Sequence, residues 1–245
     1  MDEFWYTPTT MREIKGNGYQ AFRMFGPTYC FWLILLIVSC ILGKIFFPKM
    51  SQEKRHKVYV VLTWLMLIDE IAKYVMTLLT HQFEWQLLPF HLCSINIFVC
   101  LWHTLHPTET AKEVLYSICI PAALVALLSP NWICLPLFNF MHIHSALMHV
   151  LLILYPWLIL CEGYRPNPKN IFKVLAFLVC AAGVAFVVNS LVNTNFFFLR
   201  GHNNNPALML ISNIFGKFYL AGLIVLVLIV LFLMYLPWMF RRKTA

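Results

Sequence analysis

At 245 residues, 61% hydrophobic and only 11% charged, the chain carries less than half the charge of an ordinary soluble domain, about 25%. That balance excludes a soluble globular fold and points to an integral membrane protein. The formal net charge of +8 comes from Lys and Arg in the connecting stretches, where they set orientation, and is no nucleic-acid signal.

Residues 1 to about 27 are mixed and polar, with room for a short interfacial helix carrying Arg12, Lys15 and Arg23. Apolar runs then predict seven spans, at about 28–47, 57–79, 86–105, 110–128, 136–160, 171–192 and 218–240. Pro121 predicts a kink in the fourth. A polar, Asn-rich stretch of some twenty residues is expected before the seventh. No linker or low-complexity stretch divides the chain, so the expectation is one all-α domain over 1–245, a seven-helix transmembrane bundle. No internal repeat of the inverted-transporter kind is visible. The first residues, with Asp2, Glu3 and Trp5, do not read as a cleavable signal.

Twelve Lys and Arg fall on one side of such a bundle: Lys44, Lys49, Lys54, Arg55, Lys57, Lys112, Arg165, Lys169, Lys173, Arg241, Arg242 and Lys243. Five fall on the other, namely Arg12, Lys15, Arg23, Arg200 and Lys217. The positive-inside rule puts the C-terminus in the cytoplasm and the N-terminus outside.

The eight cysteines lie mostly inside apolar runs, with no Cys-x-x-Cys pair and no secreted disulfide spacing. Most read as small buried hydrophobes. Cys93 differs in its company, since His91, Ser94 and Asn96 crowd the start of the third span and polar groups at lipid depth are costly. Cys93 would lie about 10 Å below the outer end of that span, sharing a face with Asn96 and Cys100 and turned away from His91. It reads either as a nucleophile or as core packing. The fifth span holds His142, His144 and His149, either hydrogen-bonding between helices or supplying a general base. In the second span Asp69 and Lys73 are spaced as an ion pair, with Glu70 beside them. Lys73 would share the depth of Cys93, where an ammonium favours thiolate. Asn195 and Arg200, in the loop before the last span, suit phosphate and ester oxygens of a headgroup.

No glycine-rich phosphate loop, dinucleotide fingerprint or zinc-hydrolase helix motif occurs. A metal site built from His91, Cys93 and the fifth-span histidines, and a transporter or receptor using the charged second span, are the rival readings.

Three segments together resemble a known family: HLCSINIF at 91–98, ALVALLSP at 123–130 followed by FNFMHIHSALMHVLLILYP at 138–156, and VNTNFFFL at 192–199. They are similar to the YwaF-type bacterial membrane proteins, a seven-helix group related to eukaryotic transmembrane protein 164. The resemblance implies a phospholipid acyltransferase of the bacterial plasma membrane, with hydrolysis as a side activity and no cofactor or metal. Its partners would be membrane phospholipids or lysophospholipids, with no nucleic acid. By position, Cys93 corresponds to the family's nucleophile, His149 to its base and Asn195 to the Asn before the aromatic stretch. Depth favours His142 instead, about 9 Å into a span starting at 136 against about 19 Å for His149. The choice between them stays open. Ser94 or Asn96 would steady the oxyanion.

Overall fold

A computed structural model describes residues 2–202 and 205–240. The basic triplet 241–243, used above for orientation, lies outside the described residues. These are helical throughout their ordered elements, and no strand occurs among them.

The chain opens with α1 (Pro8–Lys15), whose N-cap Thr7 accepts from the Thr10 amide and whose Pro8 is suited to the first helical position. Then come α2 (Pro27–Phe46), α3 (Gln52–Leu79) and α4 (Leu92–Leu105). Next, α5 (Glu109–Val114) runs through a π-helical stretch, Leu115–Cys119, into α6 (Ile120–Leu128). The last four are α7 (Phe140–Cys161), α8 (Ile171–Val192), α9 (Pro206–Phe215) and α10 (Tyr219–Met239). The kink expected at Pro121 takes the form of that wide turn, placed where the missing N–H and the ring would otherwise disturb an α-helical ladder.

Among the described residues six stretches are long and apolar enough to cross a membrane, at 27–49, 85–105, 109–128, 140–161, 168–192 and 208–239. The expected second span, α3, is the longest helix at 28 residues. It falls outside the six because Asp69, Glu70 and Lys73 interrupt its apolar run. The polar stretch expected before the last span is also shorter than anticipated. Its second half folds as α9, packed on α10 through Ile211 and Phe215 against Gly222.

Side-chain contacts fix the directions. Trp32 meets His142 and Trp157 meets the Cys40 carbonyl, so α2 and α7 run parallel. Asp69 meets His144 and the Tyr59 ring packs against Tyr155, so α3 opposes them. Long helices consecutive in the chain thus alternate in direction. The N-termini of α2, α4 and α7 share one end of the bundle, the near end, with the C-termini of α3, α6 and α8. Helix α7 is the axis: 61% of its apolar window is buried, against 11% for α8.

Two helix starts correct the depth arithmetic. Leu88 precedes Pro89 and is held extended, and His91 is extended too, so α4 begins at Leu92 rather than near 86. Asn139 caps α7 by accepting the His142 amide, so that helix begins at Phe140 rather than 136. Cys93 is therefore in the first turn of its helix.

Candidate active site

Cys93 is the second residue of α4, half-buried, and its thiol makes no hydrogen bond with the described residues. The N-cap His91 gives the helix no side-chain cap. The first intrahelical bond runs from the Ile95 amide to the His91 carbonyl at 3.0 Å. The N–H groups of Leu92, Cys93 and Ser94 thus have no intrahelical acceptor and point, with the positive end of the helix dipole, toward the near end. Ser94 is half-buried and its side chain makes no hydrogen bond with the described residues. Asn96 is fully buried and gives an N–H to the Leu92 carbonyl at 2.8 Å, while its Oδ1 has no partner.

Four imidazoles toward this end, His91, His142, His144 and His149, differ in their hydrogen bonding. Gln86 Oε1 accepts the Asn195 amide at 2.9 Å, so its NH2 donates to His91 Nε2 at 2.8 Å. His142 accepts the Trp32 indole N–H at Nε2 (2.9 Å) and donates from Nδ1 to the Leu135 carbonyl (3.0 Å). Both its nitrogens are committed, which turns the geometric rival into a structural tie between α2, α7 and the loop before α7. His144 bonds Asp69 at 2.8 Å and sits 3.8 Å from Glu70. His149 donates from Nδ1 to the Ser145 carbonyl one turn back and stacks on Trp132 with rings 15° apart. Its Nε2 is therefore the acceptor nitrogen, and it has no partner among the described residues.

The level of His149 follows from a contact deeper in the bundle. Tyr155 of α7 meets both His103 (2.9 Å) and Thr104 (2.7 Å) of α4, an offset of about 52 positions between parallel helices. The same offset sets Cys93 level with Ser145, the residue to which the His149 ring folds back. His149 itself lies one turn, about 6 Å, farther along α7, with its ring bonded back to the Ser145 carbonyl, and the thiol and the ring are not hydrogen-bonded to one another.

The charged residues of α3 are paired differently from the expectation. Lys73 binds Glu70 at 2.6 Å, not Asp69, and both are 5% exposed. Glu70 also takes the Tyr74 hydroxyl at 2.9 Å. It lies within electrostatic range of Cys93 and His91, as does Lys73 of His91. The helper ammonium is thus neutralised by its own neighbour, and Glu70, unassigned from sequence, is the hub.

Asn195 supports the site indirectly. Its side chain donates to the Gly201 carbonyl and accepts the Arg200 amide, both within its own loop. The loop carries left-handed residues at Asn193, Phe197 and Phe198. It drives Phe196, fully buried, against Phe90 and His91. Arg200 is exposed and gives one guanidinium N–H to Asn193.

Sequence reasoning missed two other polar clusters. Thr63, Thr104, Tyr155 and His103 form a buried chain in the middle of the bundle. Glu113, 0% exposed, accepts from the Asn167 amide, Asn170 and Tyr235. The usable signal was its place on the apolar face of α5, between the exposed charges of the loop and Ser117. Among the described residues no three His, Cys, Asp or Glu side chains are gathered as metal ligands.

Membrane-length apolar helices and a buried polar interior define a multi-pass, all-α membrane protein. Residues 24–235 match the TMEM164 family, and the chain belongs to it. No curated protein and no solved structure is significantly similar to it.

Proposed function

We propose that this protein is a membrane phospholipid acyltransferase in which Cys93 is the nucleophile and His149 the general base. The observation that carries the reading is the state of His149: its Nδ1 proton is held by Ser145, leaving an Nε2 lone pair with no partner among the described residues, about one helical turn from the level of Cys93. His91 and His142 have spent theirs on Gln86 and Trp32.

In the first half-reaction Nε2 takes the thiol proton and sulfur attacks an ester carbonyl of a phospholipid. The C–S bond forms, the ester C–O bond breaks, and the leaving alkoxide takes the proton from His149. In the second, the hydroxyl of a lysophospholipid gives its proton to His149 and attacks the thioester. A C–O bond forms and the C–S bond breaks. Water in place of that hydroxyl gives hydrolysis. The covalent step splits one hard transfer into two easier ones. The free first-turn N–H groups of α4 suit the oxyanion of each tetrahedral intermediate better than Ser94 or Asn96, because they are fixed and lack other acceptors. Thiol and imidazole close on one another when substrate binds, as catalytic contacts commonly do. No metal or cofactor enters the scheme.

In this reading α3 completes seven crossings, its charges neutralised internally. The excess of Lys and Arg at the far end sets that end in the cytoplasm and the N-terminus outside. The YwaF-type resemblance suggests a bacterial plasma membrane. Arg200 and the Asn195 loop then lie beside the headgroups, where they order the acceptor lipid.

The test is transfer of a labelled acyl chain between phospholipid and lysophospholipid in liposomes. Cys93→Ala and His149→Gln are expected to lose at least about a hundredfold, while His142→Gln loses stability more than rate. Equal transfer by Cys93→Ala and wild type overturns the proposal.

The buried Asp69–His144–Glu70–Lys73 chain favours a second reading, proton-coupled binding or transport. Proton flux in liposomes that survives Cys93→Ala, with no acyl transfer, would replace the first reading by this one.

A further inference from the structure

The far half of the bundle carries an opening unrelated to Cys93. Between α2 and α7 lies a cavity of about 380 Å³, open on its lipid side. Leu36, Ile37, Cys40 and Ile41 of α2 and Ile153 and Trp157 of α7 line it, and Lys44 stands at its far end. At about 30 Å³ for a water-sized group, the space takes on the order of a dozen methylenes. Its shape has a local cause. At Gly43 the two helices approach so closely that an added Cβ would lie 2.7 Å from Leu158 Cδ2. Trp157 is held as a wall by donating to the Cys40 carbonyl at 2.9 Å. Helix contact and a fixed indole thus close the floor and one side, and the bilayer side is left open.

Lys44 gives the groove a polarity. It is exposed and has no ion-pair or hydrogen-bond partner among the described residues. Of its basic neighbours, Lys57 binds Glu53 and Arg55 donates to the carbonyls of Phe47 and Pro48, while Lys49 and Lys54, also without a side-chain partner among the described residues, do not line the groove. An apolar slot that ends in a free ammonium at the membrane boundary matches a lipid acyl chain with a negative headgroup above it.

We propose that this groove binds one chain of an anionic phospholipid from the leaflet bordering the α2–α3 turn, with Lys44 pairing with the phosphate-bearing headgroup. The groove runs from about 6 Å (Leu36) to about 18 Å (Lys44) along α2 from Trp32, the residue that ties α2 to the near end. It is separate from the proposed acyl-transfer site and does not depend on it.

The experiment uses the full chain in nanodiscs with phosphatidylglycerol bearing a photoactivatable acyl chain, and phosphatidylcholine with the same chain in parallel. Cross-linked peptides are sequenced. Phosphatidylglycerol is expected to label 36–44 and 153–157 preferentially. Lys44→Gln should cut that labelling about fivefold, the effect of one basic residue near the surface, and leave phosphatidylcholine unchanged. Ile37→Trp, a change at an exposed position, should fill the slot and lower both. Equal labelling by the two lipids, no change in Lys44→Gln, or labelling confined to other helices overturns the proposal. Acyl transfer is not read in this assay, so its outcome is distinct from that of the enzyme hypothesis.

Discussion

Replacing Lys73 with methionine removes the cation from a pair in which Nζ and Glu70 Oε1 are 2.6 Å apart and both residues are 5% exposed. Removing one member of a buried pair costs about 3–5 kcal/mol. Glu70 keeps the Tyr74 hydroxyl at 2.9 Å and His144 at 3.8 Å, which places the loss near the lower bound, about 3 kcal/mol. Glu70→Gln strands the ammonium and should cost a similar amount. The double variant removes both charges and should be at least about 2 kcal/mol more stable than either single one. Denaturant unfolding in mixed micelles measures all four corners of the cycle. A second readout is alkylation of Cys93, which should slow in Lys73→Met because the uncompensated carboxylate opposes negative charge on the nearby sulfur. Strictly additive losses, or single losses below about 1 kcal/mol, would refute the claim that these charges neutralise one another inside the bundle.

Three further outcomes follow from other parts of the structure. Tyr235→Phe removes the 2.6 Å hydroxyl donor from the fully buried Glu113 carboxylate and should cost about 1.5–3 kcal/mol by the same unfolding assay. Gly222→Ala puts a Cβ 2.6 Å from Ile211 and 2.7 Å from the Phe215 ring; overpacking of this kind costs about 1–3 kcal/mol, and an unchanged midpoint would mean that α9 does not pack there. Cys134, in the loop before α7, has its thiol pushed up by burial, with Arg12 pulling the other way. A raised thiol holds less thiolate at neutral pH, so alkylation should be slower than in the denaturant-unfolded chain and should accelerate as pH rises.

The long helices were legible because apolar length is a local property: the 171–192 prediction coincides with α8, and those at 28–47, 110–128 and 218–240 differ from the helix limits by about a residue, whereas the second expected span is a helix that falls outside the six apolar membrane-length stretches. Helix starts were less legible. Nothing in composition separates the 88–91 turn from the helix that follows, and only Pro89 and the uncapped His91 mark the boundary. That small shift moved Cys93 from mid-helix to the first turn and gave it free N–H neighbours. Pairing between helices was the least legible of all. Spacing suggested Asp69 with Lys73, yet His144 of α7 draws Asp69 away and leaves Lys73 to Glu70. The sequence likewise named His142 and His149 as equals, because it cannot say that Trp32 and Leu135 close around one of them. Glu113 passed unnoticed because its partners come from two distant segments, the 167–170 turn and α10.

The most direct test of Cys93 chemistry is to trap the covalent intermediate. Protein in lipid nanodiscs is incubated with a phospholipid carrying an isotopically labelled acyl chain, quenched in acid and digested. Mass spectrometry should find the labelled chain on the peptide containing Cys93, released by hydroxylamine as a thioester and absent from Cys93→Ala. In His149→Gln the rate of its appearance should fall by at least about a hundredfold. Acyl transfer that proceeds while Cys93 stays unmodified, or that is unchanged in Cys93→Ala, would contradict a nucleophilic role for this residue.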